Sequence, residues 1–219
     1  MKLLSVNVAE PQVVLYQDQR VETGIFKKPV KGPVAVHFLN LEGDRQADQR
    51  VHGGPNKAVY AYTRENIEYW RRRLGRDDLG PGTFGENLTV AELLETKVAI
   101  GDEFEIGTAR FQVSQPRLPC FKLGIALGMP DFPQTFQRSR RTGFYFRVLR
   151  EGLITAGDEI RKFPTSDAEP VTVAEMVRII LARRPNPGDA KRALKLGALP
   201  EGWKRQISEK LARADSVAG

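Results

Sequence analysis

Short runs in which apolar and polar residues alternate, separated by glycine turns, fill most of residues 1–163. The pattern predicts strands over residues 34–41, 58–62, 98–100, 103–106, 109–113, 144–150 and 158–163. The pairs Gly101–Asp102 and Gly107–Thr108 are typical of hairpin turns. Many short strands favour a closed or nearly closed barrel, because closure removes exposed sheet edges. We therefore expect a mainly β chain of the α+β class.

Helical spacing appears once inside this region, where Thr63 can cap a helix that Gly75 ends. After Phe163 the apolar residues follow helical spacing, and the alternation typical of strands no longer occurs. We predict a domain over residues 1–163, a linker over 164–170 and a three-helix module over 171–219. In the module, residues 172–175 form a capping-box pattern, Asp189 can cap the second helix and Pro200 can open the third. Such short amphipathic helices must pack on one another, and any remaining apolar face should lie on the barrel or on a second chain in a homodimer.

Composition narrows the classes of protein that fit. The chain has 219 residues, of which 41% are hydrophobic and 28% charged, and it contains one cysteine. It has no apolar run that could span a bilayer and no signal-peptide pattern, so we expect a cytoplasmic protein that binds no membrane. The net charge of +7 suits a nucleic acid or a phosphorylated small molecule. The absence of known nucleic-acid motifs disfavours the first, and the absence of Walker and dinucleotide motifs disfavours an ATPase or a nicotinamide enzyme.

The single cysteine, Cys120, is the first candidate for chemistry. Pro116 and Pro119 must take the chain out of the sheet after the strand that ends near residue 113, which places the thiol on a rigid loop. Arg117 and Lys122 flank it, and nearby cations favour the thiolate, which attacks electrophiles and binds soft metals. A buried, inert cysteine is the alternative, and the residues alone leave both interpretations open.

Three polar loops supply further candidates. Their glycines allow a close backbone approach to a ligand, and their lysines could bind an anion, although ordinary surface turns have a similar composition. The two histidines and one cysteine do not form a zinc pattern. The side chains that could take part in binding or catalysis are Thr23, Lys27, Asp48, His52, Lys57, Glu86 and Asn87.

Six short motifs occur in order along residues 1–163: 23–27 (TGIFK), 41–48 (LEGDRQAD), 51–62 (VHGGPNKAVYAY), 85–89 (GENLT), 115–123 (QPRLPCFKL) and 142–145 (TGFY). Together they resemble the MOSC domain, in its bacterial YiiM-type subgroup, and the tail resembles the three-helix module often appended to that subgroup. One position departs from the family pattern Ser-Gly-Arg-Thr-Gly, because Arg140 stands where the first glycine is usual. An arginine there would be strained if the backbone has a positive φ.

The resemblance implies a β-barrel-like domain that binds the molybdenum cofactor, a molybdenum–molybdopterin, with Cys120 as the catalytic thiolate ligand of the metal. It suggests Lys27, Lys57, Arg117 and Lys122 as partners of the cofactor's negative charges. It suggests Thr23, His52, Asn87 and Gln115 as hydrogen-bonding partners of the pterin.

The implied activity is an oxidoreductase of the detoxification type, which reduces N-hydroxylated compounds such as N-hydroxylated purine bases. Electrons would come from a separate redox protein, since no flavin, haem or iron–sulfur motif is present. The protons could come from Asp48, His52 or Glu86. The alternatives are a non-catalytic carrier of the cofactor, a sulfur carrier that uses Cys120, and a nucleic-acid-binding module.

Overall fold

The computed structural model describes residues 1–47 and 53–215, with side chains to residue 213. The described strands are β1 (Lys2–Val8), β2 (Gln12–Tyr16), β3 (Gln19–Thr23), β4 (Lys28–Val30), β5 (Val34–Val36), β6 (Val59–Thr63), β7 (Leu88–Ala91), β8 (Glu103–Ile106), β9 (Ala109–Pro116), β10 (Phe144–Arg150), β11 (Gly152–Ile154) and β12 (Ile160–Phe163). The described helices are α1 (Arg64–Leu74), α2 (Phe121–Leu127), α3 (Phe132–Ser139), α4 (Val173–Leu181), α5 (Pro187–Leu194) and α6 (Glu201–Asp215), with a 3₁₀ turn at Pro55–Lys57. No helix in these described ranges is long and apolar enough to cross a membrane.

Eight strands form one mixed sheet in the order β12-β8-β9-β10-β6-β7-β1-β4. Only the β6–β7 pair in this sheet is parallel, and α1 connects its two strands. Strands β2 and β3 form a separate hairpin, and β5 pairs with β11. The α+β, mainly β fold class is therefore confirmed.

The sheet is not fully closed, so of the predicted closed or nearly closed barrel only the second form fits. Its end strands are β12 and β4, which do not pair. The start of β1 nevertheless contacts the chain entering β12, because Leu3 N–H donates to the Asp158 carbonyl at 2.9 Å and Ile160 N–H donates to the Met1 carbonyl at 3.1 Å. These bonds bring two distant positions of the sheet together and give it a barrel-like curvature.

Local signals predicted several elements correctly. Thr63 Oγ1 accepts a hydrogen bond from Asn66 N–H at 3.2 Å at the start of α1, and Gly75 ends that helix with φ 62°. The capping box of Thr172 and Glu175 is present at the start of α4. The cap predicted for the next helix was wrong, because Asn186, and not Asp189, caps α5.

Two of the predicted strands were also wrong. The strand predicted over 34–41 ends at Val36, since a turn follows in which His37 N–H donates to the Asn40 carbonyl at 2.9 Å. Residues 98–100 form a turn with one bridge, from Ala99 to Thr172. Helices α2 and α3 were not predicted, and both pack with α1 in an aromatic cluster beside the sheet.

The three C-terminal helices share one hydrophobic core with the sheet. Met176, Ile180 and Ile207 belong to the same buried cluster as Ile100 and Val113. Backbone hydrogen bonds join the two parts, for example from Ile100 N–H to the Val171 carbonyl at 3.0 Å. The apolar faces of these helices therefore dock on the sheet of the same chain.

Arg140, at the position where the family usually has glycine, lies at the C-cap of α3 with φ 59° and ψ 10°. A non-glycine residue in this left-handed conformation is strained, so we predict that Arg140→Gly raises the free energy of unfolding by about 1 kcal/mol. Arg138→Gly is the matched control: it removes an exposed arginine of α3 but places glycine inside the helix, and should lower stability by about 1 kcal/mol. Urea unfolding measures both, and equal losses in the two variants would show that Arg140 carries no strain.

Candidate functional site

A cavity opens beside the sheet where several loops meet. Its described lining comes from the end of β3 and the loop that follows it, from residues 44–47, from Lys57 and Tyr60, from Gly85 and Asn87, from the 117–122 segment after β9, and from Tyr145 of β10. All six sequence motifs therefore converge on one place, although they are far apart along the chain. Such a concave site with a few polar groups is typical of small-molecule binding.

Cys120 lines this cavity. Strand β9 runs past its predicted end near residue 113 and includes Pro116 as its last residue. The chain then turns out of the sheet before α2, as the prolines predicted. Cys120 is the N-cap residue of α2 in an extended conformation, and its side chain makes no capping hydrogen bond. The residue is only partly buried. A thiol exposed to a cavity fits a ligand-binding role better than that of an inert core residue.

Arg117 places a buried positive charge in the same cavity. The residue is 5% exposed, and its guanidinium lies 5.1 Å from the ring centre of Tyr60 and 5.2 Å from that of Phe136. Burial lowers the pKa of Arg117, but the neighbouring hydroxyls of Tyr60 and Tyr145 and the Cys120 thiol outweigh this and raise it. Its Nη1 is buried and has no hydrogen-bond partner among the described residues. An orphaned charged donor beside a cavity indicates an acceptor that the described residues do not supply.

Lys27 and Asn87 also line the cavity, but the protein already satisfies them. Lys27 forms a short ion pair with the buried Asp44, and burial lowers the pKa of the lysine. Asn87 Nδ2 donates to Asp44 Oδ2 at 2.8 Å, and Tyr60 N–H donates to Asn87 Oδ1 at 3.1 Å. These contacts give both residues a role in building the wall. Asp44 was not predicted as a site residue, although it lies in the 41–48 motif.

The other predicted binding residues divide into three groups. Thr23, Lys57 and Lys122 line the cavity, and burial lowers the pKa of Lys57. Gln115 is buried on β9 and is not part of the lining. Asp48 and His52 lie outside the described residues. The sequence could not assign Tyr145 to the site, because an aromatic residue in a strand gives no signal that distinguishes a cavity wall from a core.

Glu86, a predicted proton donor, is fully buried and is not part of the cavity lining. Its Oε1 accepts from Gly82 N–H at 2.7 Å and from the Thr89 hydroxyl at 2.9 Å, and its Oε2 accepts from Phe84 N–H at 3.1 Å. These bonds hold the loop of residues 82–85. Its position indicates a structural function, and we do not retain Glu86 as a proton donor.

Burial raises the pKa of Glu86 to about 7, against an ordinary value of 4.5. The unfolded chain therefore loses this proton first as the pH rises. The stability that protonated Glu86 contributes is complete below about pH 4.5 and is lost as the pH passes 7, a loss on the order of 3 kcal/mol.

We predict that this fall in the free energy of unfolding with rising pH disappears in Glu86→Gln. The absolute stability of the variant should also be lower, because an amide cannot accept every hydrogen bond that the carboxyl group accepts. Urea unfolding from pH 5 to pH 8 measures the slope. Glu68→Gln, a change at an exposed position of α1, should keep the wild-type slope. A Glu86→Gln slope equal to that of the wild type would show that Glu86 does not titrate in this range.

The charge of the lining favours an anionic ligand. Its described residues include five cations (Lys27, Arg45, Lys57, Arg117 and Lys122) and one carboxylate, Asp44, a formal balance of +4. Within the described ranges no group of three or more His, Cys, Asp or Glu side chains could hold a metal ion. A metal at Cys120 would thus need most of its ligands from a cofactor.

Comparisons with known proteins agree with this architecture. The MOSC domain model matches residues 48–161, and the YiiM-like 3-alpha helix domain model matches residues 171–214. The protein YflK of Bacillus subtilis is 40% identical over 217 residues, which are 96% of this chain and 95% of that protein. A crystal structure of YiiM from Geobacillus stearothermophilus superposes with a TM-score of 0.80 at 34% identity, covering 96% of this chain and 98% of that one. A protein named reductase from Gibberella moniliformis is 33% identical over 170 residues, which are 74% of this chain but 29% of that protein.

Proposed function

Because the chain belongs to the MOSC domain family and carries the YiiM-like three-helix domain, we propose that it is a molybdenum-cofactor-dependent reductase of N-hydroxylated compounds. The family is associated with binding of the molybdenum cofactor. The relative named reductase supports an oxidoreductase. The observation that carries the proposal is the pairing, in one cavity, of a partly exposed thiol with a buried arginine whose Nη1 has no described partner.

The residues of the cavity fit an anionic, metal-bearing cofactor. Cys120 would supply a soft thiolate ligand, and Arg117 would bind a negatively charged oxygen or sulfur through Nη1. Lys57 and Lys122 add positive charge at the same cavity. Lys27 contributes less than the sequence suggested, since Asp44 neutralises its charge. When bound here, the cofactor would supply the two-electron redox chemistry that removes the oxygen of an N–O group.

The mouth of the cavity suits a flat heteroaromatic substrate. Leu118, which lines the cavity, is 37% exposed. Phe121, which follows Cys120 in the chain, is 51% exposed, and its ring lies 6.1 Å from that of Tyr16. Tyr145 lines the cavity wall, whereas Phe144 is fully buried in the core. Exposed apolar side chains beside charged ones can stack on a planar base and leave its polar edge to hydrogen bonds.

The proposed reduction needs protons from side chains near the cavity and electrons from outside the chain. Asp48 and His52 remain the proposed proton donors. The Tyr145 hydroxyl is a further group at the cavity that can hold a proton, since burial raises its pKa and keeps it protonated at neutral pH. Electrons would come from a separate redox protein, because the sequence carries no motif for a second redox cofactor.

The proposal is tested with holo-protein from a cell that makes the molybdenum cofactor, mixed with reduced methyl viologen and either an N-hydroxylated purine base or an amidoxime. We expect two electrons from the dye to be consumed for each N–O bond cleaved, and the amine or amidine to accumulate. Protein with one molybdenum per chain that oxidises no dye with several such substrates would favour a cofactor carrier instead.

A further inference from the structure

Arg147, in the middle of β10, links three separate parts of the fold. Its Nη1 donates to Oε1 of Gln112 on β9 at 2.8 Å, and its Nη2 donates to the carbonyl of Ala198 at 3.1 Å. Both Nε, at 3.1 Å, and Nη2 donate to Asn56 Oδ1. Ala198 lies between α5 and α6, and Asn56 lies in the 3₁₀ turn before β6. One side chain therefore joins the C-terminal helices to the sheet and to this turn.

The chemistry of these contacts indicates a fixed geometry. Among the described residues, the hydrogen bonds of the Arg147 side chain all end on neutral amide or carbonyl oxygens, and burial lowers the pKa of the guanidinium. A partly buried cation with neutral acceptors is stable only where every acceptor stays in place. The planar fork of an arginine also fixes the directions in which its acceptors must lie. If the C-terminal helices moved Arg147 with them, its hydrogen bonds to Asn56 would break, and if the turn moved Arg147, its bond to Ala198 would break.

The turn that Arg147 holds leads directly into the cavity. The Asn56 carbonyl accepts a hydrogen bond from the Ser114 hydroxyl of β9 at 2.6 Å, so that Asn56 is fixed through both its backbone and its side chain. The next residue, Lys57, lines the cavity together with Cys120. A shift of Asn56 would therefore move a cation of the site.

We infer that Arg147 is a positioning residue through which the C-terminal helices hold the 53–58 turn, and with it Lys57, in place at the cavity. The structural link is independent of any cofactor, whereas its consequence for binding rests on the proposed function. The three-helix module thus stabilises the position of Lys57 through Arg147 and Asn56, without contributing a described residue to the cavity lining.

The link is tested first on the full chain without cofactor, by hydrogen exchange with mass spectrometry. We expect Arg147→Met to speed amide exchange about tenfold in residues 53–58 and 195–200, because charged hydrogen bonds are lost at both ends, and to leave α3 unchanged. Arg150→Met, on the same strand but bonded to Thr108 and Glu105, should leave both segments as in the wild type. Asn56→Ala, which removes one acceptor only, should speed exchange in residues 53–58 and not in 195–200.

Unchanged exchange of residues 53–58 in either Arg147→Met or Asn56→Ala would overturn the inference, as would an equal increase in α3, which indicates general loosening. A second arm measures molybdenum per chain in protein from a cofactor-competent cell. We expect about a tenfold lower content in Arg147→Met than in Arg150→Met, and equal contents would overturn the effect on the site. If the wild type itself holds no molybdenum, the proposed function fails, while the exchange experiment still decides the structural link.

Discussion

Cys120→Ser is expected to fold normally and to lose at least about 99% of its bound molybdenum and of its turnover. Serine offers a hard oxygen that is barely ionised at neutral pH in place of a soft thiolate, which a heavy transition metal prefers. The fold should not suffer, because the Cys120 side chain makes no capping bond to α2 and serine is a favoured N-cap residue. Elemental analysis, turnover and thermal unfolding of the purified variant measure the three expectations.

Cys120→Ala controls for the new hydroxyl group, and it should lose the metal to the same extent. Full metal content and turnover in either variant would show that Cys120 is a structural residue. Loss of folding in both variants would point to the same conclusion, since a ligand-binding thiol on the cavity wall should be dispensable for packing.

Deletion of residues 168–219 is expected to destabilise the remaining domain severely and to cause aggregation. The helices bury Ile100 and Val113 of the sheet region together with their own Met176, Ile180 and Ile207 in one core. Each large apolar side chain that returns to water costs about 1.5–3 kcal/mol, so a few of them approach the whole stability of a typical domain.

Light scattering coupled to size-exclusion chromatography and thermal unfolding measure the effect of this truncation. Deletion of residues 216–219 alone is the control and should change neither size nor stability. A monodisperse 1–167 fragment with the thermal stability of the full chain would show that the module folds as an independent appendage.

Elements set by local sequence could be predicted, and those set by long-range contacts could not. The alternation of residues 144–150 predicted the range of β10. Thr63 predicted the start of α1, and the Thr172–Glu175 capping box predicted the start of α4. Each of these signals acts within a few residues. Helices α2 and α3 are short, and prolines lie next to or within them, so their formation depends on the aromatic cluster that they complete with α1. Residues 98–100 have a strand-like composition, but their partners are the residues that precede α4.

The candidate site shows the same division. The sequence indicated Cys120 and Arg117 because the prolines force the chain from the sheet beside a basic residue. It could not show that Asp44 neutralises Lys27, since this contact joins two separate loops. The bonds of Glu86 span only a few positions, but a polar turn pattern does not distinguish a carboxylate that faces its own backbone from one that faces a ligand. The support that Arg147 gives to Asn56 likewise joins residues 91 positions apart.

The central claim is that the cavity at Cys120 binds the molybdenum cofactor, and elemental analysis of the wild-type protein, purified from a cell that makes this cofactor, tests it most directly. We expect close to one molybdenum per chain, accompanied by the pterin and lost on denaturation. Protein that carries no molybdenum, and instead bears labile sulfur on Cys120, would contradict the claim and identify the chain as a sulfur carrier.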